Sequence, residues 1–334
     1  MNRRDAVLAL LATGAAPLSA IAQTAPRVRR IGYFALASAQ SDATFLAAFR
    51  AGMLELGWAD ERDYVIEARY ANGVVQAAPG LADELLASGP DLLLAPANAA
   101  VRLLAQTTKT LPIVFALAQD PVESGLAASL RKPGGNATGV TSMATELSGK
   151  RLQLLKEAFP RVAHVALLFS SNDAGSVSQA REIEASAPRL GLRVSPLELT
   201  KPADIEPAFK RAAALGAQAC NVTLDGLTFS HRQVIADHIA RLKVPGLFPG
   251  SAYVEAGGLM PYGASFTDNF RRAAAHADKI LKGAKPGDLP IEQPGDLPIE
   301  QPTKFELAVN MKTARALGYK FPESFMLSVT RVIE

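Results

Sequence analysis

The chain has 334 residues, of which 49% are hydrophobic and 20% are charged, and its formal net charge is +3. This length suits two domains of ordinary globular composition, which excludes a disordered chain and one embedded in a membrane along most of its length. No Lys/Arg-rich run is present and aromatic residues make up only 6%, so we expect no nucleic-acid partner.

The N-terminal residues 1–22 have the pattern of an export signal. Arg3 and Arg4 form a positive start, residues 6–16 form an apolar run too short to span a bilayer, and Ala20 and Ala22 suit a signal peptidase. The paired arginines leave the Sec and twin-arginine routes both open. No cysteine stands at the cleavage point, so we expect a periplasmic protein without a direct membrane anchor.

A first set of alternating elements follows. Short apolar runs indicate strands and amphipathic segments indicate helices, in the order that is typical of a parallel sheet covered on both faces. The predicted strands are 31–36, 64–70, 91–96 and 112–117, and the predicted helices contain 45–56, 81–86 and 99–106.

The same rhythm then restarts and predicts a second α/β unit. Its predicted strands are 164–169, 192–199, 217–222 and 245–249, and its predicted helices are 176–187, 204–214 and 230–241. The single cysteine, Cys220, lies in one of these strands and can form no internal disulfide. We expect it to be an inert buried thiol.

The remaining C-terminal elements exceed what the second unit needs. They are a strand at 257–263, a helix at 266–281, a strand at 304–310 and a helix at 311–317. We interpret them as chain crossings between two doubly wound parallel-sheet lobes joined by a multi-strand hinge, which would allow closure around a ligand. The predicted division is 27–142 with 258–285 for the first lobe and 147–256 with 303–334 for the second.

The segment 286–302 contains the octapeptide PGDLPIEQ twice in succession, at 286–293 and 294–301. Added length costs little free energy in an exposed loop, whereas it disrupts a packed element. We therefore predict that 286–302 is an exposed loop near a crossover.

Candidate binding residues come from the loops that follow strands, because ligands of open parallel sheets bind at the carboxyl ends of the strands. Helix N-termini in these loops favour a carboxylate, and an acidic side chain such as Asp225 could pair with an ammonium. The two together would suit an amino-acid zwitterion, although such loop residues also commonly cap helices. The candidates are Ser38, Asn98, Gln119, Asp120, Asn172, Ser176, Asp225, Ser251 and Tyr253.

No pattern indicates catalysis, a metal or a cofactor. The four histidines are scattered; His231 and His238 share a helix but have no flanking carboxylate pattern. The glycine-rich 134–139 fits neither a P-loop nor a dinucleotide fingerprint, and no Gly-x-Ser-x-Gly elbow occurs. We expect no enzymatic activity, no metal site and no cofactor.

Three long blocks resemble the ABC transporter substrate-binding family that includes tryptophan- and aromatic-amino-acid-binding receptors. They are 119–160, which contains DPVESGL, SLRKPGGNATG and ELSGKRLQLLK; 253–263, YVEAGGLMPYG; and 297–318, LPIEQPTKFELAVNMKTARALG. The segments 48–58 and 64–73 match more loosely, so the resemblance covers most of residues 30–334.

The resemblance implies a type I periplasmic-binding-protein fold with three crossovers and a monomer that delivers a small molecule, an amino acid or related carboxylate, to an ABC permease of the inner membrane. It places Asp120, Asn172, Ser176 and Asp225 at matching loop positions, and Tyr253 and Tyr262 in a crossover block. This chain departs from the family at Gln119, at Ala97-Asn98 and in the PGDLPIEQ duplication. An exported ligand sensor for a membrane receptor and an exported α/β enzyme are the alternative functions.

Overall fold

The computed structural model describes residues 27–293 and 305–334, so the predicted export signal lies outside the described residues. The first lobe has a five-stranded parallel sheet in the order β2-β1-β3-β4-β5. Its elements are β1 (Arg29–Ala35), α1 (Ala39–Glu55), β2 (Tyr64–Tyr70), α2 (Ala78–Ala87), β3 (Leu92–Ala95), α3 (Asn98–Thr107), β4 (Ile113–Ala118) and β5 (Ala137–Thr141).

The second lobe has a seven-stranded sheet in the order β12-β11-β10-β9-β8-β6-β7, in which β10 and β11 pair antiparallel. Its first elements are α4 (Glu146–Ala158), β6 (His164–Ser170), α5 (Ala174–Ser186), β7 (Arg193–Leu199), α6 (Ile205–Ala214), β8 (Ala219–Val222), α7 (Gly226–Ser230), α8 (Arg232–Leu242) and β9 (Gly246–Phe248). The C-terminal elements are β10 (Met260–Ala264), α9 (Phe266–Leu281), β11 (Phe305–Asn310), α10 (Met311–Leu317), α11 (Glu323–Met326) and β12 (Arg331–Ile333). The predicted pair of parallel-sheet lobes is confirmed.

The predicted lobe boundary is wrong at β10. We assigned 258–285 to the first lobe, but β10 pairs with β9 and β11 in the second sheet. Helix α9 does belong to the first lobe, where the ring of Phe270 stacks on Phe45 of α1 with the centroids 5.3 Å apart. The two helices come so close that a Cβ at Gly52 would lie 2.4 Å from the carbonyl oxygen of Arg271. The chain therefore crosses between the lobes at the junction of β10 and α9.

Strand β5 was not predicted because its glycine-rich approach resembles a loop. It lies so close to β4 that a Cβ at Gly139 would be 1.9 Å from the carbonyl oxygen of Phe115, and Gly139 has a φ of 151°. Only glycine tolerates both conditions. The glycine that obscures the strand in the sequence is thus the residue that lets it join the sheet.

The first PGDLPIEQ copy also differs from the prediction of an exposed loop. Ile291 is only 3% exposed, and the backbone of Glu292 pairs with β5 through bonds of 2.9 Å to Gly139 and Thr141. The Glu292 carboxylate accepts a 2.9 Å bond from Arg272 of α9. This copy is packed as an additional edge of the first sheet, whereas the second copy, 294–301, lies outside the described residues.

Within the two described ranges, no helix is long and apolar enough to cross a membrane.

Candidate ligand-binding site

The carboxyl ends of the two sheets face each other, and two glutamines join the lobes between them. The Gln119 amide, at the end of β4, donates to the carbonyl oxygen of Leu224 in the second lobe at 2.8 Å. The Gln179 amide of α5 donates to the Gln119 side-chain oxygen at 2.6 Å. Gly175 lies at this contact, where a Cβ would be 2.6 Å from the same Gln119 oxygen. The lobes are therefore in direct contact beside the cleft.

A cavity of about 300 Å³ lies between the lobes and runs along α7. One side is formed by α7 and the residues at its two ends, from Asp225 to His231. The opposite side comes from the first lobe and includes Leu36, Val75 and Ala99. The remaining lining residues are Gly73, Gln76, Ser170, Asn172, Asp173, Thr200, Lys201 and Pro202.

A smaller chamber of about 50 Å³ shares part of its lining with this cavity and extends into the first lobe. Asp173 and Asp225 line both spaces. The inner chamber is otherwise largely apolar, with Phe45, Leu117 and Phe229 in its wall. The two spaces together present carboxylates and an apolar wall to a single ligand.

Asp225 is the N-cap of α7 and is only 3% exposed. Its carboxylate accepts hydrogen bonds from the Thr228 amide at 2.9 Å, from the Ser176 hydroxyl at 3.1 Å and from the Thr223 hydroxyl at 3.2 Å. Burial raises the pKa of Asp225 to about 6, because the hydrogen bonds offset only part of the lost hydration. The nearby Asp173 contributes to this rise.

Two more carboxylates line the cleft. Asp173 caps α5 through the Ser176 amide at 2.8 Å, and burial raises its pKa. Asp42 of α1 lines the inner chamber and accepts a 2.7 Å bond from the Tyr33 hydroxyl; burial raises the pKa of Asp42 to about 6. No ion pair among the described residues includes Asp42, Asp173 or Asp225. The cleft thus contains three carboxylates without a paired cation.

The structure brings two of the nine predicted residues, Asn172 and Asp225, to the wall of the main cavity. Asp120 instead lines a separate space of about 310 Å³, together with Gln119, and accepts a 2.6 Å bond from Thr145. Ser176 is fully buried and serves the Asp225 network.

The other predicted side chains support the cleft from outside the main cavity. Asn98 is buried and exchanges hydrogen bonds of 2.7 and 2.8 Å with the backbone of Gln119. Ser38 caps α1, and Ser251 begins a short 3-10 helix. Tyr253 is fully buried, with its ring stacked on Phe248 at 5.1 Å.

Sequence reasoning did not select several residues that line the two spaces, notably Asp42, Asp173, Phe229 and His231. Asp173 follows the first strand of the second lobe, and its position before a predicted helix could have identified it as a capping residue at the cleft. His231 was considered only with His238 as a metal pair. The structure separates their roles: His231 lines the cavity, whereas His238 stacks on Phe209 with centroids 4.8 Å apart. No group of potential metal ligands occurs among the described residues.

Comparison with known proteins agrees with the family resemblance seen in the sequence. The model of a family described as ABC transporter substrate binding protein matches residues 30–333. The chain belongs to this family. Its function is therefore that of a solute-binding protein that serves an ABC transporter, and the aromatic-binding type predicted from the sequence is supported by its relatives.

One relative is the tyrosine-binding protein of Clostridioides difficile strain R20291, which is 22% identical over 261 residues, or 78% of this chain and 72% of that protein. The crystal structure of an ABC domain in complex with L-Trp from Streptococcus pneumonia is 27% identical, with a TM-score of 0.83 over 92% of this substrate-binding protein and 100% of that chain. A ligand-free, open substrate-binding protein with adhesive properties from Clostridium difficile shares the fold, with 22% identity and a TM-score of 0.64 over 92% and 99% of the two chains.

Proposed function

We propose that this substrate-binding protein captures an aromatic amino acid between its lobes and delivers it to an ABC permease of the inner membrane. The observation that carries the proposal is the cavity along α7, which places unpaired buried carboxylates beside an apolar wall. A zwitterion with an apolar side chain complements such a cavity. The L-Trp complex and the tyrosine-binding relative support the aromatic class.

The ammonium group of the ligand is assigned to Asp173 and Asp225. Both carboxylates line the two connected spaces, and burial raises both pKa values. A raised pKa means that each carboxylate has lost hydration without gaining a sufficient countercharge. An ammonium supplies that charge and three hydrogen-bond donors.

The carboxylate of the ligand is assigned to the N-terminus of α3. Its N-cap, Ala97, has no side chain that could cap the helix, and the first helical amide to donate within this turn is that of Val101, to Ala97 at 3.1 Å. The amides of Ala99 and Ala100 precede it and have no acceptor within the helix. Both residues line the inner chamber, where the helix dipole favours a negative charge.

The ring of the ligand is assigned to the apolar surface that extends away from these groups, formed by Leu36 and Val75 of the first lobe and Leu227 of α7. Burying an aromatic side chain contributes about 2 kcal/mol through the hydrophobic effect. The cavity volume of about 300 Å³ lies at the lower end of the range that is typical of small-molecule sites.

The proposal is capture by a periplasmic monomer without chemistry. The buried hydroxyl nearest to Asp225, that of Ser176, accepts from the Ser170 amide at 2.9 Å and bonds Thr223 at 2.7 Å. Its surroundings are those of a structural hydroxyl, since its partners are a backbone amide, the Thr223 hydroxyl and the carboxylate of Asp225, which itself caps α7.

Isothermal titration calorimetry of the purified protein with each of the amino acids tests the proposal. We expect L-tyrosine, L-tryptophan or L-phenylalanine to bind at least tenfold more tightly than L-leucine, in line with the additional apolar area that a ring buries. Absence of binding by all three aromatic amino acids would contradict the proposal.

A further inference from the structure

His231 has a hydrogen-bonding state that the local structure fixes. It follows α7, and its Nδ1 lies 3.0 Å from the carbonyl oxygen of Leu227. A carbonyl accepts only, so the Nδ1 carries the proton and donates. In the neutral ring the lone pair is then on Nε2, which can only accept. Within the described ranges no group bonds to this Nε2, and the His231 side chain lines the main cavity.

The distance between His231 and Asp225 suits the length of the proposed ligand. The two residues flank α7, and six residues at a helical rise of about 1.5 Å separate their Cα atoms by roughly 9 Å along the axis. Both side chains line the same cavity. A ligand whose ammonium lies at Asp225 would therefore extend its ring along α7 toward His231.

Beside His231, the buried hydroxyl of Ser230 also lines the cavity without a hydrogen-bond partner, but a hydroxyl can donate as well as accept, whereas the Nε2 can only accept. Across the cleft, Gly73 of the first lobe has no side chain, and a Cβ there would lie 3.8 Å from the His231 Cε1. Lys201 and Gln76 line the same cavity; Lys201 can only donate, and Gln76 is exposed to solvent. The Nε2 of the half-buried imidazole is thus a group that requires a donor from the ligand once water is excluded.

We propose that His231 determines specificity by selecting aromatic amino acids that carry an N–H or O–H donor at the far edge of the ring. The phenol of tyrosine offers such a donor, whereas phenylalanine does not, and the indole N–H of tryptophan lies nearer to the Cβ, on the five-membered ring. This inference rests on the proposed function, because it takes the ammonium to lie at Asp173 and Asp225. A ring without a donor would leave the Nε2 unpaired once water is excluded, and that costs binding free energy.

The first experiment uses ligands alone and therefore involves no risk of misfolding. Calorimetry compares L-tyrosine with L-phenylalanine and with 4-fluoro-L-phenylalanine, which resembles tyrosine in size but carries no donor. We expect tyrosine to bind about tenfold more tightly than either analogue. Equal affinities for the three would overturn the role of His231 and leave the proposed function intact, whereas no binding by any of them would remove both.

The second experiment assigns the preference to His231. In His231→Asn the side-chain amide can still donate to Leu227, but the Nε2 acceptor is lost. We expect the affinity for tyrosine to fall about tenfold while that for phenylalanine stays within twofold. His231→Gln, which can present an acceptor near the Nε2 position, should retain part of the preference.

The matched control is His238→Asn, which alters a histidine that stacks on Phe209 outside the cavity. It should leave the ratio of tyrosine to phenylalanine affinity unchanged. A merely structural role for His231 would instead lower the affinities for tyrosine and phenylalanine by the same factor in His231→Asn, and that result would overturn the inference.

Discussion

The two lobes share a topology but present opposite chemistry to the cleft. The helices that follow the first and third strands are capped by Ser38 and Ala97 in the first lobe and by Asp173 and Asp225 in the second. Only the second pair places charges in the cavity wall. The first lobe contributes mainly apolar side chains, with Asp42 as its one carboxylate in the described wall.

This difference shows how one structural role can carry two functions. An N-cap needs only an acceptor for a free amide of the first turn. Asp225 provides one through its bond to Thr228 and also carries a negative charge that no ion pair among the described residues neutralises. Ala97 provides neither, so the amides that follow it remain open to a ligand. In the proposed binding mode, the choice of cap decides which lobe binds the ammonium and which binds the carboxylate.

The largest effect is expected from Asp225→Asn. The amide oxygen can still cap α7, but the charge that faces the ammonium is lost. We expect affinity for the aromatic amino acid to fall about 100-fold, the order that one buried charge-assisted contact contributes. Calorimetry measures it, and Asp83→Asn, at an exposed aspartate of α2 that lines neither space, is the control. Unchanged affinity in Asp225→Asn would break the assignment of the second lobe.

The second-largest effect on affinity is expected from Ala97→Asp, which gives helix α3 of the first lobe an aspartate N-cap like those of the second lobe. The new carboxylate would cap α3 and repel the carboxylate of the ligand. We expect amino-acid affinity to fall more than tenfold, while tyramine, which has no carboxylate, loses less than threefold. Ala97→Ser, a neutral cap, serves as the control. Equal losses for tyrosine and tyramine would argue against the anion site at α3.

Measuring ligand affinity across a pH series is a third test, and we expect a change of about tenfold. Burial raises the pKa of Asp225 to about 6, so at pH 5 about nine-tenths of the unliganded protein has this group protonated. An ammonium binds the ionised form, and affinity should therefore fall about tenfold between pH 7.5 and pH 5. Asp225→Asn should flatten the profile.

The same protonation gives the stability of the unliganded protein the opposite pH dependence to that of its ligand affinity. A folded-state pKa above the usual value contributes stability that is complete below about pH 4 and is lost as the pH rises through about 6. Asp42 acts in the same direction. Thermal melts from pH 4 to 7.5 should show the ligand-induced gain in melting temperature growing as this contribution disappears; a gain independent of pH would contradict it.

The smallest effect is expected from deletion of 294–301. The first PGDLPIEQ copy already supplies the contacts of Ile291 and Glu292 with β5, and it lies away from both walls of the cleft. Melting temperature and ligand affinity should stay within error of the parent protein. The matched comparison is Ile291→Ser in the shortened chain, which should lower the melting temperature because Ile291 is buried. A loss of affinity in the deletion variant would assign the second copy a role in binding.

The sequence predicted the fold more completely than the site. The apolar repeats of α9 and α10 and the run of β2 gave the bounds that the structure has, because local periodicity is sufficient for such elements. The loops of the cleft were also found. Which side chain in a loop faces the ligand was not, since a tertiary partner decides it: Asn98 turns to the Gln119 backbone, and Gln119 turns to Leu224.

The bonds that Gln119 makes with Leu224 and Gln179 have a consequence for the energetics of capture. They join the lobes through protein atoms alone, so part of the free energy that favours the closed form is independent of the ligand. A ligand then has to supply only the rest of the free energy of closure. Its apparent affinity rises in proportion to the fraction of unliganded protein that is already closed. Release by separation of the lobes would require the same bonds to break, which would lengthen the residence time of a ligand.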